Sequence, residues 1–278
     1  MSRIAAIQTS SSDDIGQNLL RVEKYIFQAA EQGASVVVLP ECFAFMQRSK
    51  RQLLEHAESD SEGRIQRFVG KMARQSGLWI FAGSIPLHSS HPGKVTNSML
   101  VFDDTGTRVG RYDKIFLFDV ELDNGERYRE SDYTVAGGEM GVIDSPVGKI
   151  GLSICYDLRF PEMYRRLTQL GAQILVVPSA FSYTTGISHW LPLLQARAIE
   201  NSCYVVAPAQ TGIHNNRRKT WGHTVVIEPW GQVVSELEQG WGLVCAEIDL
   251  ARLDHIRQQL PSHSEFHPDI FRSSRIRK

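Results

Sequence analysis

Gly33-Ala34-Ser35-Val36-Val37-Val38-Leu39-Pro40-Glu41-Cys42-Phe43 returns in altered form as Gly171-Ala172-Gln173-Ile174-Leu175-Val176-Val177-Pro178-Ser179-Ala180-Phe181. In both stretches Gly precedes Pro by seven residues, branched apolar residues lie between, and Phe follows Pro by three. An apolar run rich in Val and Ile and closed by Pro reads as a buried strand. Ahead of each run lies a helical pattern. Residues 18–31 place Leu19, Leu20, Val22, Ile26, Phe27, Ala29 and Ala30 on a helical face that Gly33 ends. Residues 161–170 open with Pro, which suits a first helical turn, and stop at Gly171. Residues 4–9 and 149–154 supply a further strand before each helix. Strand, helix, strand with short links makes the two strands parallel neighbours. The spacing therefore predicts an internal pseudo-repeat, two halves of one layered α/β domain spanning 1–278.

Hairpins fill the remainder. Residues 99–102 and 107–112 flank Asp103-Asp104-Thr105-Gly106, and 224–228 and 232–237 flank Pro229-Trp230-Gly231. Helices are expected over 190–201 and 251–260, and strands over 203–208 and 244–248. This pattern predicts mixed sheets covered by helices. Residues 114–138 form the longest stretch without periodicity, and long loops in compact domains are often functional.

The chain has 278 residues, 42% hydrophobic and 22% charged, with a formal net charge of -1. That balance suits a globular core and carries no basic excess for nucleic acid or an anionic membrane. The tail over 272–278, with Arg272, Arg275, Arg277 and Lys278, reads as a solvated end. The apolar run at 4–8 is too short for a signal-peptide core, and no run approaches the roughly 20 residues of a membrane helix. A cytoplasmic protein is expected. The cysteines, Cys42, Cys155, Cys203 and Cys245, stand far apart and are read as free thiols.

Cys155 stands where the strand at 149–154 ends and a helix approaches. A thiol there opens onto the crevice where open α/β sheets bind ligands, although a buried structural Cys is common. Glu41 is read at the matching place in the first half, at the end of its strand, which puts it on the same sheet edge. Cys42 should point away from it in extended chain and is read as structural. Lys114 follows the strand at 107–112 among aromatic residues. It is either partly desolvated or snorkels with its head in water. His189 and His223 are alternative partners for a Cys/His dyad. No zinc-ligand spacing, dinucleotide fingerprint or P-loop occurs.

Leu39-Pro40-Glu41, Tyr112-Asp113-Lys114 and Cys155-Tyr156-Asp157-Leu158-Arg159-Phe160-Pro161-Glu162 together resemble the nitrilase superfamily of carbon–nitrogen hydrolases, in family order and over nearly the whole chain. Within it the chain looks like the Nit branch, particularly the deaminated glutathione amidase group. The stretches are Pro178-Ser179-Ala180-Phe181, Thr184-Thr185-Gly186, His189-Trp190, Gln195-Ala196-Arg197-Ala198-Ile199-Glu200, Ala209-Gln210-Thr211-Gly212 and Asp249. The resemblance implies a four-layer αββα sandwich, usually a homodimer through the face carrying the helix at 159–162, with no metal or organic cofactor. It implies a Glu41, Lys114, Cys155 triad with Glu130 as an additional active-site carboxylate. Lys114 and the Tyr156 backbone N–H would receive the oxyanion. Arg159 would clamp a substrate carboxylate, unless it pairs with Glu162, and Phe181, Thr185 and His189 would line the pocket. The expected reaction is hydrolysis of a small carboxylate-bearing amide, deaminated glutathione first, through a thioester. An ω-amidase on α-ketoglutaramate, an N-carbamoyl amide hydrolase and a non-catalytic binding protein are the rivals. Asp113 and Phe116 depart from the Nit pattern around the Lys, as does an insert over 124–128 in the loop leading to Glu130.

Overall fold

Along the first two strands, alternate side chains enter two different cores. Ile4, Ala6, Val36 and Val38 face one side, and Ala5, Ile7, Val37 and Leu39 face the other. All eight are fully buried, and burying one such Val, Leu or Ile side chain contributes about 1.5–3 kcal/mol. The computed structural model describes residues 2–123, 125–215 and 218–261, so the basic tail over 272–278 lies outside the described residues.

The first half runs β1 (Ser2–Gln8), α1 (Ile15–Glu31), β2 (Val36–Val38), α2 (Lys50–Glu55), α3 (Arg64–Ser76), β3 (Trp79–His88), β4 (Val95–Phe102) and β5 (Arg108–Asp113). A small hairpin follows, β6 (Asp119–Glu121) with β7 (Arg127–Arg129). The second half runs β8 (Val142–Ser145), β9 (Gly148–Leu152), α4 (Pro161–Gln169), β10 (Ile174–Val176), α5 (Tyr183–Asn201) and β11 (Tyr204–Ala207). It continues through the hairpin β12 (Thr211–His214) with β13 (Arg218–Trp221), then β14 (Thr224–Ile227) and β15 (Val233–Leu237). Last come β16 (Gly242–Ile248) and α6 (Leu250–Gln259).

One sheet has the order β16-β1-β2-β3-β4-β5, and the other, read from its far end, β8-β9-β10-β11-β14-β15. The pairings repeat in sense across both: antiparallel, parallel, parallel, antiparallel, antiparallel. The predicted pseudo-two-fold and parallel strand pairs are present. Apolar residues of α1 and α3 pack on the outside of the first sheet. The other face of that sheet shares one core with the second sheet and with Tyr164, Leu167, Trp190 and Leu194 of α4 and α5. The result is the expected αββα sandwich of mixed sheets. No helix among the described residues is long and apolar enough to cross a membrane.

The register corrects one sequence expectation. Ala6 stands opposite Val38 in the first sheet, and Leu152 opposite Val176 in the second. Three residues on from these pairs, Glu41 corresponds to Ser179, and Cys155 to Thr9. Glu41 and Cys155 thus end non-equivalent strands, though both emerge at the carboxyl edge. Boundaries also shift. α5 begins at Tyr183 and carries Pro192 in its interior, whereas the pattern predicted a start at Trp190. α2, α3 and β3 had no counterpart in the sequence reading.

Candidate active site

β9 ends at Leu152, the backbone stays extended through Ile154, and Cys155 opens a 3₁₀ turn, Cys155–Arg159, with φ +51°. That left-handed backbone is costly for a residue with a Cβ. Two sets of bonds hold it. The Cys155 N–H donates to the Pro178 carbonyl at 3.0 Å, tying the turn to the end of β10. Asp157, fully buried, receives the Ile154 N–H at 2.8 Å and the Tyr112 hydroxyl at 2.6 Å on Oδ2, and the Phe116 N–H at 2.9 Å on Oδ1. One carboxyl therefore clamps the Cys155 turn to the segment that carries Lys114.

Glu41 reaches the site from the turn after β2. Close approach of backbone decides its place: a Cβ on Gly83 of β3 would lie 1.9 Å from the Pro40 carbonyl oxygen. Only glycine lets β3 pass under the Glu41 turn. Lys114 is positioned likewise, since a Cβ on Gly137 would lie 2.1 Å from the Asp113 carbonyl oxygen.

Lys114 is 2% exposed, which settles its reading in favour of desolvation. Its Nζ donates to Glu41 Oε1 at 3.0 Å and to Glu130 Oε2 at 2.8 Å. Asn97 Nδ2 bridges the same two carboxylates, 2.9 Å from Glu41 Oε1 and 3.2 Å from Glu130 Oε1. The Ala180 N–H donates to Glu41 Oε2 at 2.8 Å, and the Phe118 N–H to Glu130 Oε2 at 2.7 Å. The Cys155 thiol lines the same cleft as Glu41 and Lys114.

Burial pushes the Glu41 carboxyl up, but Lys114, Arg218 and the Ala180 N–H together hold it below the ordinary carboxylate range. Burial opposes the Lys114 charge, and Glu130 and Glu41 overcome it, raising its pKa well above that of a free lysine. Burial, reinforced by the Glu41 carboxylate, drives the Cys155 thiol strongly upward. The resting site is thus a neutral thiol beside an ionised carboxylate and an ammonium.

Each expected residue can now be placed. Arg159, Phe181 and Thr185 line one lobe of the cleft together with Cys155 and Tyr156. Arg159 forms no ion pair with Glu162. Its Nη1 sits 3.2 Å from His189 Nδ1, and its guanidinium lies 5.2 Å from the Phe181 ring centre. His189 touches Arg159 and is not among the residues lining the lobe. His223 pairs with Glu236 at 2.7 Å, so neither histidine forms a dyad with Cys155. Cys42 corrects its expectation. The chain turns there, φ +57°, and Cys42 lines the same cleft, its thiol pushed up to about 12 by burial and then by Glu41. Asn97, Asp157, Arg218 and the Ala180 N–H had no role in the sequence reading.

Residues 3–258 match the carbon-nitrogen hydrolase family. The chain belongs to that family. As a carbon–nitrogen hydrolase it is 43% identical over 261 residues to the deaminated glutathione amidase of Synechocystis sp., covering 93% of this chain and 95% of that protein. It is 39% identical over 273 residues to the nitrilase and fragile histidine triad fusion protein NitFhit of Caenorhabditis elegans, covering 96% of this chain but only 61% of the fusion protein. The NitFhit crystal structure superposes with a TM-score of 0.87 at 38% identity, over 99% of this chain and 68% of that one. Saccharomyces cerevisiae Nit3, a member of branch 10 of the nitrilase superfamily, superposes with a TM-score of 0.84 at 30% identity, over 94% of each chain. The hydrolase is therefore an amidase-type enzyme of the nitrilase superfamily, as the sequence motifs implied.

Two buried groups near this carbon–nitrogen hydrolase site set its response to pH. Burial lifts the Asp157 carboxyl from 3.8 to about 6, against the hydrogen bonds from Tyr112 and two N–H groups. In that window the folded chain keeps a proton the unfolded chain has released, so stability falls as pH rises. Burial lowers His214 from 6.5 to about 4. There the unfolded chain holds the extra proton, and stability rises with pH. Summed over its window, each effect amounts to roughly 3 kcal/mol, and the two oppose. Urea titrations between about pH 4.5 and 6 are expected to find nearly level stability. Asp157→Asn should leave stability rising with pH, and His214→Gln should leave it falling. Level curves in both variants would show that neither group titrates as stated.

Proposed function

We propose that the chain is a cysteine-dependent amidase that hydrolyses a small carboxylate-bearing amide, deaminated glutathione in the first place, through a thioester acyl-enzyme. The observation that carries this reading is the buried Lys114 ammonium held between Glu41 and Glu130 beside the Cys155 thiol. Glu41, ionised and next to a neutral thiol, is the general base. Removing the thiol proton before substrate arrives is uphill, because the thiol's pKa is raised and the base's is lowered. Proton transfer is therefore coupled to attack of Sγ on the amide carbon. Lys114 and the Tyr156 N–H stabilise the tetrahedral oxyanion. Glu41 returns its proton to the departing nitrogen, and the amine leaves. Glu41 then deprotonates a water that attacks the thioester and frees the acid and the thiol. Glu130 positions Lys114. Arg159 takes a substrate carboxylate, with Phe181 and Thr185 beside it.

The protein works in the cytoplasm, in keeping with its four free cysteines, and as a homodimer. Exposed Leu170, Ile187 and Ile199 on the outer α4–α5 layer support the dimer. Native protein incubated with deaminated glutathione, with α-ketoglutaramate alongside, is expected to release α-ketoglutarate faster from the first. Preference for the second would move the reading to an ω-amidase with the same residues. No release from either would overturn it.

A further inference from the structure

Two lobes of the cleft meet at Cys155 and Phe118. Glu41, Lys114, Glu130 and Arg218 line one, and Tyr156, Arg159, Phe181 and Thr185 line the other. Each lobe thus holds one guanidinium. Elsewhere the buried arginine Arg197 pairs with Glu200, and Arg111 with Asp113 and Asp60. Arg159 and Arg218 form no ion pair among the described residues. Arg218 Nη2 donates to the Ala180 carbonyl at 2.6 Å, and Nη1 has only the Met46 sulfur at 3.9 Å. Its Nε is sealed from solvent with no hydrogen-bond partner. A partly buried cation with an orphaned donor and a weak sulfur contact costs stability, and such groups call for an explanation. Lys114 is held by both neighbouring carboxylates and assigned to the oxyanion, so it is not the receptor for a substrate carboxylate in this lobe.

We infer that Arg218 is a second carboxylate subsite, so that the substrate is an amide with a carboxylate on each side of the scissile bond. The inference rests on the amidase reading above. Chemistry assigns the sides. Glu41 must return its proton to the departing nitrogen, so the leaving amine lies in the Glu41 lobe, where Arg218 is. Arg218 then takes the carboxylate of the amine fragment, as at the C-terminus of a short peptide. Arg159 takes the carboxylate of the acyl fragment, across Cys155. A carboxylate at Nη1 would take up the donor whose present contact is the Met46 sulfur.

The test compares deaminated glutathione with its C-terminal carboxamide, in the native protein, Arg218→Gln and Arg218→Lys. Native kcat/KM is expected to favour the carboxylate by roughly 10- to 100-fold, mostly through KM. The ratio should fall towards 1 in Arg218→Gln and lie between in Arg218→Lys. A ratio that survives in Arg218→Gln overturns the subsite. So does a drop shared equally by both compounds with the ratio intact, which marks Arg218 as support for Ala180 and Glu41. If Arg218→Gln does not fold, the native ratio and Arg218→Lys decide. A native protein that is active but indifferent to the carboxamide loses the subsite and keeps the amidase reading. One that turns over neither compound loses both.

Discussion

Replacing Cys155 with Ala is expected to lower kcat/KM on the order of 10⁶-fold, the scale seen when a covalent nucleophile is removed from an otherwise intact site. No other group can take its place. The second thiol in the cleft, Cys42, is pushed up to about 12 and leaves a different turn. Geometry supplies a control. At φ +51° a Cβ costs roughly 1 kcal/mol relative to glycine. Cys155→Gly and Cys155→Ala should be equally inactive, while the Gly variant melts no lower than the Ala variant. Initial rates and thermal melts check both points. Activity above about 1% in either variant would mean that the attacking group lies elsewhere.

Glu41→Gln should cost roughly 10²- to 10⁴-fold in kcat/KM, the range for losing a positioned general base. The shape of the side chain is kept, so the loss is one of charge and protonation. Its amide would also turn an N–H₂ toward either Lys114 or Ala180, both of which are donors. Lys114 keeps Glu130, so the fold should survive. Because Glu41 titrates below the ordinary carboxylate range, the native acid limb should fall below about pH 4.5. Glu41→Gln should lack that limb within the pH range where the protein is folded. A variant with native rate and an unchanged acid limb would assign the base to another group.

Elements that bury a continuous apolar run were legible. β2 and β10 show as Val36–Val38 and Ile174–Val176, each before a proline. β3 was not, because Gly83 and Pro86 look like breakers. In the fold both sit where the pairing with β4 shifts register, between Ala82 and Ile85, or just beyond it. α5 looked shorter because Thr184, Thr185, Gly186 and Ser188, ahead of the expected start at Trp190, are weak helix formers. The three residues proposed as the triad stood out because three short motifs keep family order. Asn97 was not, since Thr96-Asn97-Ser98 looks like a solvated strand face; only the fold brings it between Glu41 and Glu130. Arg218 lay hidden in a run of basic residues, and its bond to Ala180 joins positions far apart in sequence.

The pairing of β1 with β16, from Ser2 opposite Ile248 to Gln8 opposite Gly242, has a consequence for synthesis. A nascent chain makes β1 long before β16, its outer neighbour in the sheet. Until residue 248 leaves the ribosome, β1 remains an open edge, able to pair with the wrong strand. Closing so long a loop is slow. The half that carries Glu41 and Lys114 therefore completes its sheet only after the half that carries Cys155 has been made.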